Sequence, residues 1–435
     1  MISKGGITLD RIIFHIDVNS AFLSWESAYR IHHLGGKLDL RTIPSAIGGD
    51  VAMRHGIILA KSIPAKPYGI KTGMTIVEAR QKCPKLYLAP PNYSLYQRCS
   101  NAFIDILREY TPDVEIYSID EAYLDMTSTI HLYGKPVEVA YQIKDRIHEE
   151  LGFTVNVGIS SNKLLAKMAS EFKKPDLVHT LFPEEIQTKM WPLPVSELFF
   201  CGRATTKKLL NMGINTIGDL AHTDIELLKS HLKKQGEVMW AFANGLDFSA
   251  VIADVPAQKG YGNSTTTPFD VSDSETAKKV LLALCETVAA RLRADNFCAE
   301  LISVGIKSYD LKYASHQMKM KNPSNITIEL YHYACQLFEE LWDKHTPIRH
   351  LAVHTGKLLS GSMTRQLDLF DMTDYVRLET LDKTIDTIRH RYGNDAMKRA
   401  VFVHPERTKH RLIDHMEGGV SREKRYLDYS ELKVV

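Results

Sequence analysis

Apolar and polar positions in this chain fall into blocks of two periods. Ile12 to Ile16 is a short apolar run ending on Asp17, the pattern of a buried strand with an acid where it emerges. Tyr93 to Tyr110 carries Phe103, Ile106, Leu107 and Tyr110 at helical spacing, which predicts an amphipathic helix. Val114, Ile116 and Ser118 alternate with Glu115, Tyr117 and Ile119 in strand period. Asp120–Glu121 follows and Ala122 to Met126 resumes as strand, so a hairpin-like pair is expected. Phe153, Val155, Val157 and Ile159 alternate in turn, then run through Ser160, Ser161 and Asn162 into a helix. That helix carries Leu164, Leu165, Met168, Ala169 and Phe172, is capped by Asn or Ser, and ends before Pro175. Alternating strands and helices make the first region a mixed α/β sheet domain. Ser45 to Met74, rich in Gly, Pro and Lys and weakly periodic, reads as an insertion in it.

After Pro192 and Pro194 the pattern changes to short helices that end near Asp247, a small all-helical module. Val255 to Tyr261 reads as a linker. Beyond it come a short strand at Ser264 to Thr267 and a helix opened by a Ser272–Glu275 capping box. A strand with Ile302, Val304 and Ile306, a helix from Ile326 to Asp343 and a strand from Ile348 to Leu358 complete a second α/β domain. The tail from Asp371 is charged, with a helix expected from Leu381 to Tyr392.

The 435 residues allow three or four modules. With 44% hydrophobic and 24% charged residues, the composition is that of a soluble globular protein. No apolar run approaches the roughly 20 residues of a membrane span, and Met1 to Asp10 lacks signal-peptide features. A cytoplasmic location and no membrane partner are expected. The six scattered cysteines form no CxxC pair, against a zinc ribbon or disulfide framework. Net charge is only +2, but lysines cluster at 163, 167, 173 and 174, at 207–208, at 233–234, and at 307, 312, 319 and 321. Any one cluster is accounted for by a solvated face; several along the chain suit a long polyanion.

Neighbours in a regular strand point to opposite faces, so Asp120 and Glu121 can serve one centre only at a bend. Acids at the ends of adjacent strands form a hard oxygen cage that suits Mg²⁺. A pair of such ions roughly 4 Å apart supports in-line displacement at phosphorus. From spacing alone, an exposed Asp–Glu turn is the more common explanation of the pair.

Three segments add a resemblance. Ser118–Ile119–Asp120–Glu121–Ala122–Tyr123–Leu124–Asp125 is similar to the signature of the Y-family, or translesion, DNA polymerases. Ile16–Asp17–Val18–Asn19–Ser20–Ala21–Phe22 resembles that family's first metal-binding segment. Val157 to Lys163, with Ala166 to Ser170 and Lys174–Pro175, looks like its third. The resemblance runs from Arg11 to Phe370 in the family's order and looks closest to the bacterial damage-inducible, DinB/UmuC-like branch. It implies a right hand: palm at 1–37 and 86–187, fingers at 38–85 and a helical thumb at 188–254. A linker at 255–262, a DNA-binding little finger at 263–360, and a clamp-binding peptide with charged tail at 361–435 would follow.

By the same resemblance, Asp17, Asp120 and Glu121 bind two Mg²⁺ ions, helped by the Val18 carbonyl. A primer 3′-hydroxyl would then attack a deoxynucleoside triphosphate on primer–template DNA. Phe22 aligns with the sugar-discriminating ring, whose bulk would collide with a 2′-hydroxyl. Lys163, at the mouth of a helix, is the expected phosphate contact. Lys66 lies in the fingers' phosphate-contacting stretch, where Ile63 and Lys66 replace the commoner tyrosine and arginine. Lysine lacks arginine's bidentate fork. Glu197 to Thr205 resembles the helix-hairpin-helix turn, with Gly202 and Arg203 facing DNA phosphate and Phe200 where a glycine is usual. Lys307 and Arg365 are further phosphate candidates. Gln366–Leu367–Asp368–Leu369–Phe370 looks like the peptide that hooks bacterial polymerases onto the sliding clamp.

Three alternatives stay open on the sequence. One is a weak family member active only with accessory proteins of the SOS response. Another is a non-catalytic scaffold that recruits the clamp. A metal-dependent nuclease shares the two-ion chemistry, but leaves the fingers, the sugar gate and the clamp peptide without purpose.

Overall fold

A computed structural model describes residues 11–49, 56–254, 257–361, 365–366 and 370–402. The chain runs through β1 (Ile13–Val18), α1 (Ala21–His32), β2 (Ser45–Gly48), β3 (Ile58–Lys61), α2 (Ile76–Lys82) and β4 (Tyr87–Ala89). It continues through α3 (Tyr93–Arg108), β5 (Val114–Ile116), β6 (Glu121–Asp125), α4 (Pro136–Leu151), β7 (Val155–Ser160), α5 (Lys163–Glu171) and β8 (Val178–Thr180). These build a five-stranded sheet in the order β5-β6-β1-β7-β8. β1 is its centre, antiparallel to β6 and β7, and all six of its residues are buried. That burial accounts for the unbroken apolar run before Asp17.

One face of this sheet packs on α1, α3 and α4 through Phe14, Ile16, Trp25, Phe103, Leu107, Leu124, Ile143 and Val157. Asn92 caps α3 and Asn162 caps α5, each accepting a backbone N–H three residues on. α5 lies on the other face, very close to the sheet. A side chain at Gly158 would meet the Ala166 carbonyl and the Ser170 amide. Glycine there lets α5 bring Lys167 and Ser170 to the strands. The insertion forms a separate three-stranded sheet, β3-β2-β4, packed with α2 around Ala46, Ile58, Ile70 and Ile76.

The helical module comprises α6 (Arg203–Asn211), α7 (Ile217–His222), α8 (Ile225–Leu232) and α9 (Lys234–Ala243). Leu209, Ile217, Leu220, Leu228 and Met239 form its core with Leu165 and Met168 of α5.

The last unit holds β9 (Gly260–Val271), α10 (Ser274–Ala294), β10 (Phe297–Ser308), β11 (Tyr313–Ser324), α11 (Thr327–Leu341) and β12 (Ile348–Ser360). Its strands are ordered β11-β10-β12-β9, and the two helices share a core with them. α12 (Tyr375–Tyr392) follows.

Four expectations change here. β11 was not foreseen, because it is an edge strand whose residues 313–317 are all exposed and mostly polar. The first strand starts at Gly260, within the expected linker, and extends to Val271. α10 is capped by Asp273, which accepts from Thr276 N at 2.7 Å, rather than by a Ser272–Glu275 box. α12 begins six residues before the expected Leu381.

Candidate active site

Three acids meet at one end of the five-stranded sheet. Asp17 on β1 stands opposite Glu121 on β6 in the antiparallel register. Asp120 occupies the bend before β6. Tyr117 and Ser118 donate their amides to the Glu121 carbonyl at 3.0 and 3.1 Å, which folds that bend. The Asp120 carbonyl accepts from Val18 N at 3.0 Å, tying the bend to the residue after Asp17. The Ser118 hydroxyl donates to Asp120 Oδ1 at 2.7 Å. The bend takes Asp120 out of the flat strand, in which neighbouring side chains would point to opposite faces.

Two lysines, not foreseen as site residues, sit on these acids. Lys174 Nζ donates to Asp17 Oδ1 at 2.7 Å and Lys167 Nζ to Glu121 Oε2 at 2.6 Å. Helical spacing held the signal for Lys167, which is one turn beyond Lys163 on α5. Lys174 lies beyond the helix, and only the fold brings it to Asp17.

His15, fully buried two residues before Asp17, places Nε2 3.3 Å from Glu121 Oε2 and Nδ1 2.7 Å from Ser170 Oγ. Burial lowers its pKa to about 4, so the ring is neutral near pH 7 and holds one proton. A carboxylate only accepts, so that proton belongs on Nε2, while the Ser170 hydroxyl, which donates to the Lys167 carbonyl at 2.8 Å, lies against Nδ1.

The acids differ in charge state. Burial pushes the Asp17 carboxyl up to about 7, with Lys174 offsetting part of the effect. Burial also raises Asp120. Glu121 is buried too, but the hydrogen bonds from His15 and Lys167 outweigh that burial and hold it at about 2.

Carboxylate oxygens converging at strand ends, two of them already drawing ammonium ions, are the donor set for a hard divalent cation. Asp17 and Glu121 are each turned onto a lysine, and among the described residues no three metal-ligating side chains are gathered as a closed cluster.

The remaining expected residues divide. Phe22 is half-buried, stacked on Tyr96 with ring centroids 4.4 Å apart and edge-on to Tyr93 at 6.0 Å. Lys66 and Ile63 are exposed on the turn after β3. Gly202 caps α6 and Arg203 opens it, both exposed. Phe200 adopts φ 67°, a left-handed conformation that favours the glycine usual at that place.

Lys163 is not directed to the acids. Its ammonium bonds both Glu115 oxygens at 2.6 and 2.7 Å and lies over the Tyr123 ring. Arg365 is likewise committed, to Glu329 at 2.6 Å and over the Tyr375 ring at 3.7 Å. Gln366 exchanges two hydrogen bonds with Asn322, and Phe370 is 92% exposed. Leu367 and Leu369 lie outside the described residues.

Comparison with known proteins agrees with this geometry. Residues 16–171 match the model of the impB/mucB/samB family, and residues 258–369 match that family's C-terminal domain. A DNA polymerase IV of Clostridium acetobutylicum is 45% identical over 398 residues, covering 92% of this chain and 100% of its own. One from Acetivibrio thermocellus is 37% identical over 399 residues, covering 91% and 98%. A solved Y-family DNA polymerase chimera shares the fold, with TM-score 0.70 and 24% identity over 80% of this chain and 100% of its own. No described helix is long and apolar enough to cross a membrane. With both regions matched and the curated relatives covered nearly end to end, the chain belongs to the impB/mucB/samB family and is a DinB-like Y-family DNA polymerase.

Proposed function

We propose that this translesion polymerase performs nucleotidyl transfer at Asp17, Asp120 and Glu121, using two Mg²⁺ ions to add a dNTP to a primer 3′-hydroxyl. The observation that carries the reading is the convergence of the acids: Asp17 in register with Glu121, and Asp120 tied by its carbonyl to Val18. The primer hydroxyl gives up its proton to solvent as its oxygen bonds to the α-phosphorus, and the α–β anhydride bond breaks to release pyrophosphate. The metals would supply activation of that hydroxyl and charge stabilisation at the leaving oxygen. His15 steadies Glu121 in its ionised form. A cation held by Asp17 would favour its ionised form and would take the place of Lys174. Lysines 167 and 174 would then be available to triphosphate charge.

In this reading the first sheet is the palm and its inserted sheet the fingers, with Lys66 reaching the triphosphate. The helical module is the thumb, with Gly202 and Arg203 presenting α6 to a DNA phosphate. The last sheet is the little finger, and Gln366 to Phe370 is the sliding-clamp peptide. A cytoplasmic location and SOS accessory partners fit this assignment.

Asp120→Ala and, separately, Glu121→Ala should abolish primer extension with Mg²⁺ on plain and abasic templates, while DNA binding stays largely intact. Losing one such charge at a phosphoryl-transfer centre costs on the order of several kcal/mol of transition-state stabilisation. Near-normal extension by both variants would overturn the site.

A further inference from the structure

Lys163 opens α5, yet its charge is spent on Glu115 of β5. The same carboxylate accepts a third hydrogen bond, from the backbone amide of Ile252 at 2.8 Å. Lys163 also reaches the Ala250 carbonyl at 3.4 Å. Around this pair, the segment that leaves the thumb is bonded to the palm along its length. Asn162 Nδ2 donates to the Gly245 carbonyl at 2.9 Å, and Asp247 Oδ2 accepts from Leu164 N at 3.1 Å. Arg11 donates to the Ser249 carbonyl at 3.2 Å, and Val251 packs on Ile13, Tyr123 and Ala166. The exposed side chains of Phe248 and Ile252 show that the segment is held by its backbone rather than by apolar anchors at those positions.

We infer that Glu115 is a positioning residue. With Lys163 it latches the thumb-to-little-finger connection onto the palm, and so sets how much chain separates the little finger from the catalytic domain.

Ile252 is the last residue bonded to Glu115, and β9 starts at Gly260, leaving seven residues, 253–259, between them. At roughly 3.3–3.6 Å per residue they span at most about 25 Å. With the latch undone, the next palm bond back is that of Arg11 with the Ser249 carbonyl, which leaves ten residues, 250–259, and a reach of about 35 Å. Effective concentration falls as roughly the −3/2 power of tether length, so a released little finger meets palm-bound DNA about 1.7-fold less effectively. Glu115 touches neither the acids nor their lysines in the described contacts, so the chemical step is left alone.

The test uses the full chain with two variants. Glu115→Ala removes the acceptor, and Ile252→Pro removes the amide donor while leaving the Glu115–Lys163 pair in place. Hydrogen–deuterium exchange reads the amides of residues 246–254. Fluorescence titration gives the Kd for a primer–template duplex, and rapid quench gives the single-turnover rate at saturating DNA. Both variants should exchange those amides at least about tenfold faster, as one charge-assisted bond of about 1.5–3 kcal/mol implies. Both should raise the DNA Kd about 1.5- to twofold with an unchanged single-turnover rate. Unchanged exchange would show that the bonds do not hold the segment. Faster exchange with unchanged Kd in both variants, or a rate that falls together with the melting temperature, would overturn the positioning role.

Discussion

Phe22 is backed by Tyr96 and flanked by Tyr93 and Trp25, so its ring cannot swing away from whatever lies against its open side. A rigid ring is what a steric gate requires. Phe22→Val should raise the ratio of rCTP to dCTP insertion in single-nucleotide kinetics. Relieving an overpacked contact is worth about 1–3 kcal/mol, or roughly 5- to 150-fold. An unchanged ratio would leave Phe22 as core and put the gate elsewhere. At this scale the sequence spoke unevenly. The three acids stood out through the motif resemblance, since local spacing alone favoured an ordinary turn for Asp120–Glu121. The destination of a lysine was not legible. Lys163 and Lys174 look alike in sequence, but one meets Glu115 and the other Asp17, 48 and 157 residues away. Long side chains are placed by tertiary contacts that no local period encodes.

Among the elements, α12 binds to the little finger through charge rather than grease. Arg293, at the C-terminal end of α10, meets Asp382 at 3.1 Å and Asp386 at 2.6 Å, and also donates to the Asn325 carbonyl. Asp382, buried, accepts from the Thr327 amide at 2.7 Å and so serves the first turn of α11. Glu286 of α10 holds Arg389 and Arg399 beyond. Asp382→Ala leaves Arg293 less compensated and the Thr327 amide without that acceptor. Breaking such a buried pair costs about 3–5 kcal/mol. Urea melts should show this loss for Asp382→Ala and a smaller one for the more exposed Asp386→Ala; equal effects would sink the account. The helix was expected over Leu381 to Tyr392, but its docking was not, because the buried group on its docked face is Asp382, flanked by partly buried Leu378, Ile385 and Ile388. β11 escaped for a related reason: an edge strand pairs through its backbone, and its side chains need not be apolar.

For the whole molecule, the proposed clamp peptide starts from a fixed base, since Gln366 is pinned to Asn322 of β11 and Phe370 is exposed. Leu369→Ala with Phe370→Ala should leave extension on a short bare primer unchanged and remove stimulation by a loaded clamp. Clamp stimulation that survives the double change would move the tether elsewhere. Shifts of period mark where the chain changes character, although the helical module shares its core with Leu165 and Met168 of α5. The joints between modules were not legible, because contacts such as that of Glu115 with Ile252 span 137 residues.

The pairing of Lys174 with Asp17 and Lys167 with Glu121 bears on how the protein lives between rounds of work. Acids crowded at one strand end would otherwise repel each other whenever divalent ions are scarce. Here the repulsion is cancelled from within, so loss of metal should silence the enzyme without loosening it. Chelation with EDTA should abolish synthesis yet shift the melting temperature by less than about 4 °C, the equivalent of about 1 kcal/mol for a domain of this size. In Lys174→Met the same chelator should lower the melting temperature further, because the acids then face one another uncompensated. A polymerase built this way can wait, fully folded and idle, until a divalent metal and nucleotide arrive together.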